Sequence, residues 1–239
     1  MISKLLLQSV IEKYHLNGMV ESVKWEINSG DLKINFMSPT REMIGHLTCP
    51  KFPLPDSSVG ISNTTQLDKL ISITNGDLFL DYHKQNKVIT KLIIADNQFN
   101  LSYSLADIFT IPKSGEYNGS EEYDLEIKLD TEIISALIKA KNALPSSEYV
   151  VISPDLVGLG FTFGGDVEYA NKVSYFIQNP IIHNNVDFKL TYNSSLIKEI
   201  LSCNKNMNHG SLFLQKDGLI KFHFEHETFN VTYYIVAQA

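Results

Sequence analysis

Gly76-Asp77-Leu78-Phe79-Leu80 and, after a spacer, Phe99-Asn100-Leu101-Ser102-Tyr103 return near the C-terminus as Gly210-Ser211-Leu212-Phe213-Leu214 and Phe229-Asn230-Val231-Thr232-Tyr233. Each copy follows an amphipathic stretch, Leu67-Asp68-Lys69-Leu70-Ile71 in the first and Leu196-Ile197-Lys198-Glu199-Ile200-Leu201 in the second. The repeated unit is therefore a helix followed by strands, and its two copies sit about half a chain apart. Over 239 residues, such a duplication predicts two tandem domains of similar build. The copies are unequal. Four more residues separate Leu80 from Phe99 than separate Leu214 from Phe229, which predicts a longer hairpin in the first.

Four segments carry helical periodicity. Leu6, Val10 and Tyr14 share one face of a helix over 3–15, closed by Asn17-Gly18. Asn63 with Gln66 three residues on forms a capping box for a helix over 64–74 that places Leu67, Leu70 and Ile71 on one face. Asp130 caps a third helix with Ile133, Ile134, Leu137 and Ile138, stopping at Pro145. Asn193 caps a fourth, with Leu196, Ile197, Ile200 and Leu201 at the same offsets.

Runs of strand character lie at 20–27, 32–37, 43–48, 78–82, 88–95 and 99–103, and at 123–129, 149–153, 158–163, 172–177, 186–191, 212–215, 219–224 and 229–236. Several alternate apolar and polar residues, as in Lys221-Phe222-His223-Phe224, which predicts one buried and one solvated face. The reading is an α+β chain with domains over 1–104 and 123–239, each with two helices packed on an antiparallel sheet. The Pro/Gly/Ser-rich 105–122 serves as interdomain connector, its first half docked through Ile108, Phe109 and Ile111. Gly158-Leu159-Gly160 and Gly164-Gly165 read as turns around a hairpin.

At 44% hydrophobic and 20% charged, the chain is ordinary globular material, and its net charge of -7 argues at first sight against a nucleic-acid partner. Sorting charge by element changes that. The helical spans 3–15, 64–74, 131–143 and 194–205 hold seven lysines (Lys4, Lys13, Lys69, Lys139, Lys141, Lys198, Lys205) against four acids, leaving 13 basic and 23 acidic residues elsewhere. The helices are basic and the strands acidic. Lysines on solvated helix faces explain this blandly; a set of helices facing a polyanion explains it more sharply.

Cys49 and Cys203 are too few for a disulfide framework, which favours a reducing, cytoplasmic setting. Leu5-Leu6-Leu7 is too short for a signal core, and no apolar run approaches the roughly 20 residues a membrane helix needs, so no membrane partner is expected. Nothing converges as catalytic chemistry does. On a strand His223 and His226 point to opposite faces, the glycine pairs lack the lysine and helix of a phosphate loop, and Trp25 alternates with Val23 and Ile27 as core. Neither an enzyme, a metal nor a cofactor is expected.

Two domains, each with two basic helices among strands in an acidic chain, resemble a DNA sliding clamp. The ending Tyr233-Tyr234-Ile235-Val236-Ala237 resembles the tail of proliferating cell nuclear antigens, and the layout of 196–237 resembles the C-terminal part of tailed-phage polymerase clamps. The resemblance covers the whole chain as pattern. It implies a homotrimeric ring of pseudo-six-fold symmetry that encircles duplex DNA and gives a DNA polymerase processivity, opened by a clamp loader, in the host cytoplasm during phage infection. It implies that the seven helix lysines face DNA. It further implies that the edge strands 99–103 (Phe99, Leu101, Tyr103) and 172–177 (Val173, Tyr175, Ile177) join neighbouring subunits, and that Ile108, Ile111 and Pro112 with Tyr234 and Val236 form a pocket for partner peptides. A β-rich structural protein of a virion is the other reading, as is an enzyme whose site is assembled from scattered residues. Four lysine-bearing helices are superfluous to the virion protein.

Overall fold

A computed structural model of the chain describes residues 1–86, 88–155, 158–164, 170–178, 180–183, 188–207 and 209–238. They form two compact units, residues 1–116 with 227–231 and residues 117–226 with 232–239, so the division falls inside the connector, at Glu116/Tyr117.

In the first unit the order is β1 (Ile2–Ser3), α1 (Lys4–His15), β2 (Val23–Asn28), β3 (Asp31–Met37), β4 (Met43–Cys49), β5 (Ser57–Ile61), α2 (Thr64–Ser72), β6 (Asp77–Gln85), β7 (Val88–Ala95) and β8 (Asn100–Ser104). The Ser3 hydroxyl accepts the Leu6 N–H at 3.2 Å and the Asn63 side chain accepts the Gln66 N–H at 2.8 Å, each satisfying a donor that has no partner inside its helix. Helix α1 ends through left-handed Leu16 and Asn17. The helices bury Leu7, Val10, Ile11 and Tyr14, and Leu67 and Ile71. The strands run β1-β6-β7-β8 in one antiparallel sheet and β5-β2-β3-β4 in the other.

Sequence pattern had three strands between the helices; there are four. Ser57, Ser58 and Gly60 disguise β5 as loop, yet it pairs with β2 over Val23↔Ile61 to Ile27↔Ser57. Its Gly60 seats the connector. The Ala106 N–H donates to the Gly60 carbonyl at 2.9 Å, and a Cβ on Gly60 would lie 2.7 Å from the Ala106 carbonyl oxygen and 3.1 Å from Ile111 Cγ1. Ile111 is buried, as expected, but Phe109 is 89% exposed. A turn at Asp107, whose carboxylate accepts the Phe109 N–H at 3.0 Å and whose carbonyl accepts the Thr110 N–H at 2.9 Å, throws that ring outward. Gly60→Ala is therefore expected to cost about 1–3 kcal/mol through overpacking. It should lower the urea midpoint and open residues 106–111 to proteolysis.

The second unit comprises β9 (Leu125–Leu129), α3 (Thr131–Ala143), β10 (Tyr149–Asp155), β11 (Gly158–Phe163), β12 (Val173–Gln178), β13 (Ile181–Ile182), β14 (Leu190–Asn193), α4 (Ser194–Asn204), β15 (His209–Leu214), β16 (Leu219–Glu225) and the closing β17 (Asn230–Val236). Asp130 accepts the Ile133 N–H at 2.8 Å and Asn193 accepts the Ser195 and Leu196 N–H groups at 3.1 Å each. The sheets run β12-β11-β10-β14 and β13-β9-β15-β16-β17. Gly158 and Gly160 are not a turn: both lie inside β11. A Cβ on Gly158 would meet the Ile177 carbonyl oxygen at 2.1 Å, so bare backbone is required there. The expected strand over 186–191 begins at Leu190; residues 186 and 187, like Gly165 of the second glycine pair, lie outside the described residues.

The doubled phrase occupies equivalent places. Leu78 pairs with Ile2 and Leu212 with Ile127, each strand opposite the one that opens its unit, and Leu78, Leu80, Leu212 and Leu214 are all buried. Its glycines differ in function. Gly76 turns the chain at φ 64°, whereas Gly210 lies within β15 under the Phe224 ring, which a Cβ would approach to 2.8 Å. The first hairpin is longer, with strands of 9 and 8 residues against 6 and 7. The expected α+β architecture, with paired helices on antiparallel sheets, is the one observed.

Candidate nucleic-acid and partner interfaces

The seven helix lysines are not equivalent. Lys13 is 3% and Lys141 4% exposed. The Lys141 amine donates to the Pro145 and Ser147 carbonyls at 2.9 and 2.7 Å, closing the loop that follows α3. Burial, and then the charge of Lys198, hold Lys141 below the usual lysine range. The Lys13 amine pairs with Glu12 at 3.1 Å. Lys4 donates to the Ser72 and Thr74 carbonyls at 2.7 and 2.6 Å, placing a positive charge on the C-terminal end of α2, where the helix dipole favours it. Lys198 pairs with Glu199 at 2.8 Å. Lys69, Lys139 and Lys205 are exposed. The resemblance implied that all seven face DNA; three-dimensional packing turns Lys13 and Lys141 inward and sets Lys4 on carbonyls.

The strands named for subunit contact are sheet edges. Among the described residues β8 pairs only with β7 and β12 only with β11. The Leu105 N–H donates to Thr90 and the Phe99 carbonyl accepts from Asp96, so the odd-numbered residues of this segment face β7. By the alternation of an antiparallel ladder, the N–H and C=O groups of Asn100, Ser102 and Ser104 point off the edge. The side chains behave otherwise than a contact surface requires. Leu101 and Tyr103 are buried, and the Tyr103 hydroxyl accepts the Asn63 N–H at 3.0 Å, bracing the start of α2. Ile177 is buried, Val173 and Tyr175 half-buried, and Phe99 38% exposed.

Of the residues named for a partner pocket, Ile108, Ile111 and Pro112 line a cleft of about 320 Å³ with Lys24, Glu26 and Asn35. Ile111 supplies its floor. In the second unit Val236 is 51% exposed, but Tyr234 is already engaged by a cluster that sequence reading missed. Tyr117 stacks on Tyr234 with centroids 4.5 Å apart and planes 21° apart. Glu121 accepts the Lys221 amine at 2.6 Å, the Tyr123 hydroxyl at 2.8 Å and the Tyr234 hydroxyl at 3.0 Å. The Lys221 amine lies 5.3 Å from the Tyr123 and Phe213 ring centroids and 5.7 Å from that of Tyr234. Burial alone would raise the Glu121 carboxyl, but the bonds from Lys221, Tyr123 and Tyr234 outweigh it and hold the group below the usual carboxylate range. Burial, then Glu121 itself, pushes both tyrosine hydroxyls up, so they remain donors. The only sequence signal was the period-two pattern that puts Lys221 on the solvated face of β16.

The fold of the whole chain has counterparts in solved structures. Proliferating cell nuclear antigen from Entamoeba histolytica superimposes with a TM-score of 0.79 over 99% of this chain and 96% of that one, at 17% identity. The fold is that of a sliding clamp. The A. fulgidus clamp, solved with the C-terminal region of FEN-1 bound, gives a TM-score of 0.79 at 15% identity over 100% of this chain and 97% of that one. No protein-family model and no curated protein matches the sequence. The chain shares the clamp fold with these structures at 15–17% identity.

Proposed function

We propose that three copies of this chain close head to tail into a ring around duplex DNA, and that the ring tethers a DNA polymerase at the primer end. The observation that carries the reading is a sliding-clamp fold over the whole chain together with an open sheet edge in each unit, β8 and β12. A head-to-tail contact repeated through a full turn joins such edges and leaves none free. A closed ring cannot leave duplex DNA sideways, so a few phosphate contacts of no sequence preference suffice, and Lys69, Lys139 and Lys205 are available for them. A polymerase held by the ring stays at high effective concentration near the primer, which is what processivity requires. The role is that of a scaffold without chemistry of its own. A loader would open the ring, and partner peptides would use Ile108 and Pro112 in one unit and Tyr234 and Val236 in the other. The setting we propose, from the likeness of 196–237 to phage clamps, is the host cytoplasm during infection.

Light scattering on a gel-filtration column is expected to give three times the 27.0 kDa of the chain. Protein loaded onto nicked circular DNA with a clamp loader should stay bound until the circle is cut, then run off the ends. A monomer, retained equally by circles and linear DNA, sinks the proposal.

A further inference from the structure

The cluster around Lys221 is built as a receptor and is filled by the chain's own connector. Phe213, Lys221 and Tyr234 come from three strands of one sheet, β15, β16 and β17, and set apolar rings around an amine. What occupies this face is a strap, residues 117–122; Tyr123, at its root, packs on Phe213 with centroids 5.1 Å apart and belongs to the face itself. The strap supplies one ring, Tyr117 against Tyr234, and four residues later one carboxylate, Glu121 against Lys221 and the tyrosine hydroxyls. Gln215 steadies the strap by donating to the Ser120 and Glu122 carbonyls at 2.9 and 2.8 Å.

The two partners differ in how firmly they are held. Lys221 is 17% exposed, whereas Glu121 is 54% exposed and Asn118, Gly119, Ser120 and Glu122 all face solvent. No strap residue from Tyr117 to Glu122 is buried, unlike Ile111, which anchors the other end of the connector. A segment held by one stacked ring, one exposed ion pair and a few polar bonds can lift without uncovering a core. The face beneath it would then present the Tyr234 ring, the Lys221 amine and the Phe213 and Tyr123 rings to any segment of the same chemistry.

We propose that Phe213, Lys221 and Tyr234 form a binding site for a short peptide that presents an aromatic ring and, four residues on, a carboxylate, and that residues 117–122 are its built-in occupant. The strap makes the site selective: only a segment with both groups replaces what the strap gives up. This inference rests on reading the tail as a partner surface, and adds the chemistry of the partner and the contact it must displace. Because the strap is tethered it competes at high effective concentration, so the apparent affinity for an outside peptide falls by the fraction of time the strap is open.

The test uses a fluorescent synthetic peptide of residues 115–124 as ligand and anisotropy as readout, with the full chain and its Tyr117→Ala/Glu121→Gln variant. The variant is expected to bind the peptide at least about tenfold more tightly than the parent, as for a strap closed nine-tenths of the time or more. Adding Lys221→Ala should remove that gain, and a scrambled peptide should not bind. Tyr117→Ala alone, a milder change, should give an intermediate gain and guards against misfolding of the double variant. Equal affinity for parent and variants, or binding indifferent to Lys221, overturns the inference. Ring formation on DNA is scored separately, so a protein held on circular DNA that takes no peptide defeats this inference and leaves the clamp standing.

Discussion

Glutamate in place of Lys69, Lys139 and Lys205 together is expected to strip the protein from circular DNA while leaving its fold intact. All three side chains are exposed, so nothing in the core notices their loss. Lys205 caps the C-terminal end of α4, where reversing its charge costs roughly 0.3–1 kcal/mol against the helix dipole, too little to unfold a domain. The effect on DNA is of another size. Each lysine that neutralises a phosphate contributes nearly one unit to the slope of log affinity on log salt, so removing about three contacts per copy lowers retention by at least about tenfold and flattens its salt dependence. The opposite behaviour is expected of Lys141→Ala. That change takes the Lys141 donor from the Pro145 carbonyl and leaves the Ser147 carbonyl with the Ser194 hydroxyl, at a cost of roughly 1–3 kcal/mol in chemical denaturation, with DNA retention unchanged at temperatures where the variant is folded. If the triple variant stays on circular DNA as the parent does, the helices do not face the duplex.

The contrast between those lysines marks where sequence reading stops. Three helix starts were legible because a cap is a local bond: Asn63, Asp130 and Asn193 each accept N–H groups two or three residues on, and that spacing is written in the sequence, whereas Ser3, read as the first residue of its helix, is the cap of α1. The duplication was legible because both copies obey one pattern of buried leucines. Strand β5 was hidden because its glycine answers to Ala106, 46 residues away, and Gly158 was misread because the backbone that forbids its side chain is Ile177. Both are facts of tertiary approach, which no local propensity encodes. Lys13 and Lys141 were misassigned for a related reason. Periodicity gives the direction of a side chain from its own helix, not what lies there. The cluster at Lys221 was missed because Glu121 stands 100 residues earlier, and single exposed tyrosines and acids carry no signal on their own.

Ser102→Pro should convert the proposed trimer into a stable monomer. Leu105 and Phe99 bond toward β7, so by the alternation of the ladder Ser102 points its N–H and C=O away from β7, off the free edge of β8. Its side chain is exposed, while Leu101 and Tyr103 on either side hold the core. Proline at this position removes a donor that the first unit itself does not use, and proline is tolerated on edge strands for that reason. The intramolecular ladder from Lys91↔Ser104 to Ala95↔Asn100 keeps its odd-numbered bonds, so the melting transition should move little. An intermolecular strand added at this edge would lose a central bond and meet the proline ring. Three such joints fail at once in a three-fold ring, which makes assembly far more sensitive than folding. Light scattering should give the mass of one chain, and protein loaded on circular DNA should no longer be retained. Proline at Tyr103 gives the control. There the N–H faces β7 and the ring packs at the start of α2, so the fold itself should fail, with loss of the cooperative transition. A Ser102→Pro protein that still forms a trimer excludes β8 as the joint and with it the head-to-tail closure proposed here.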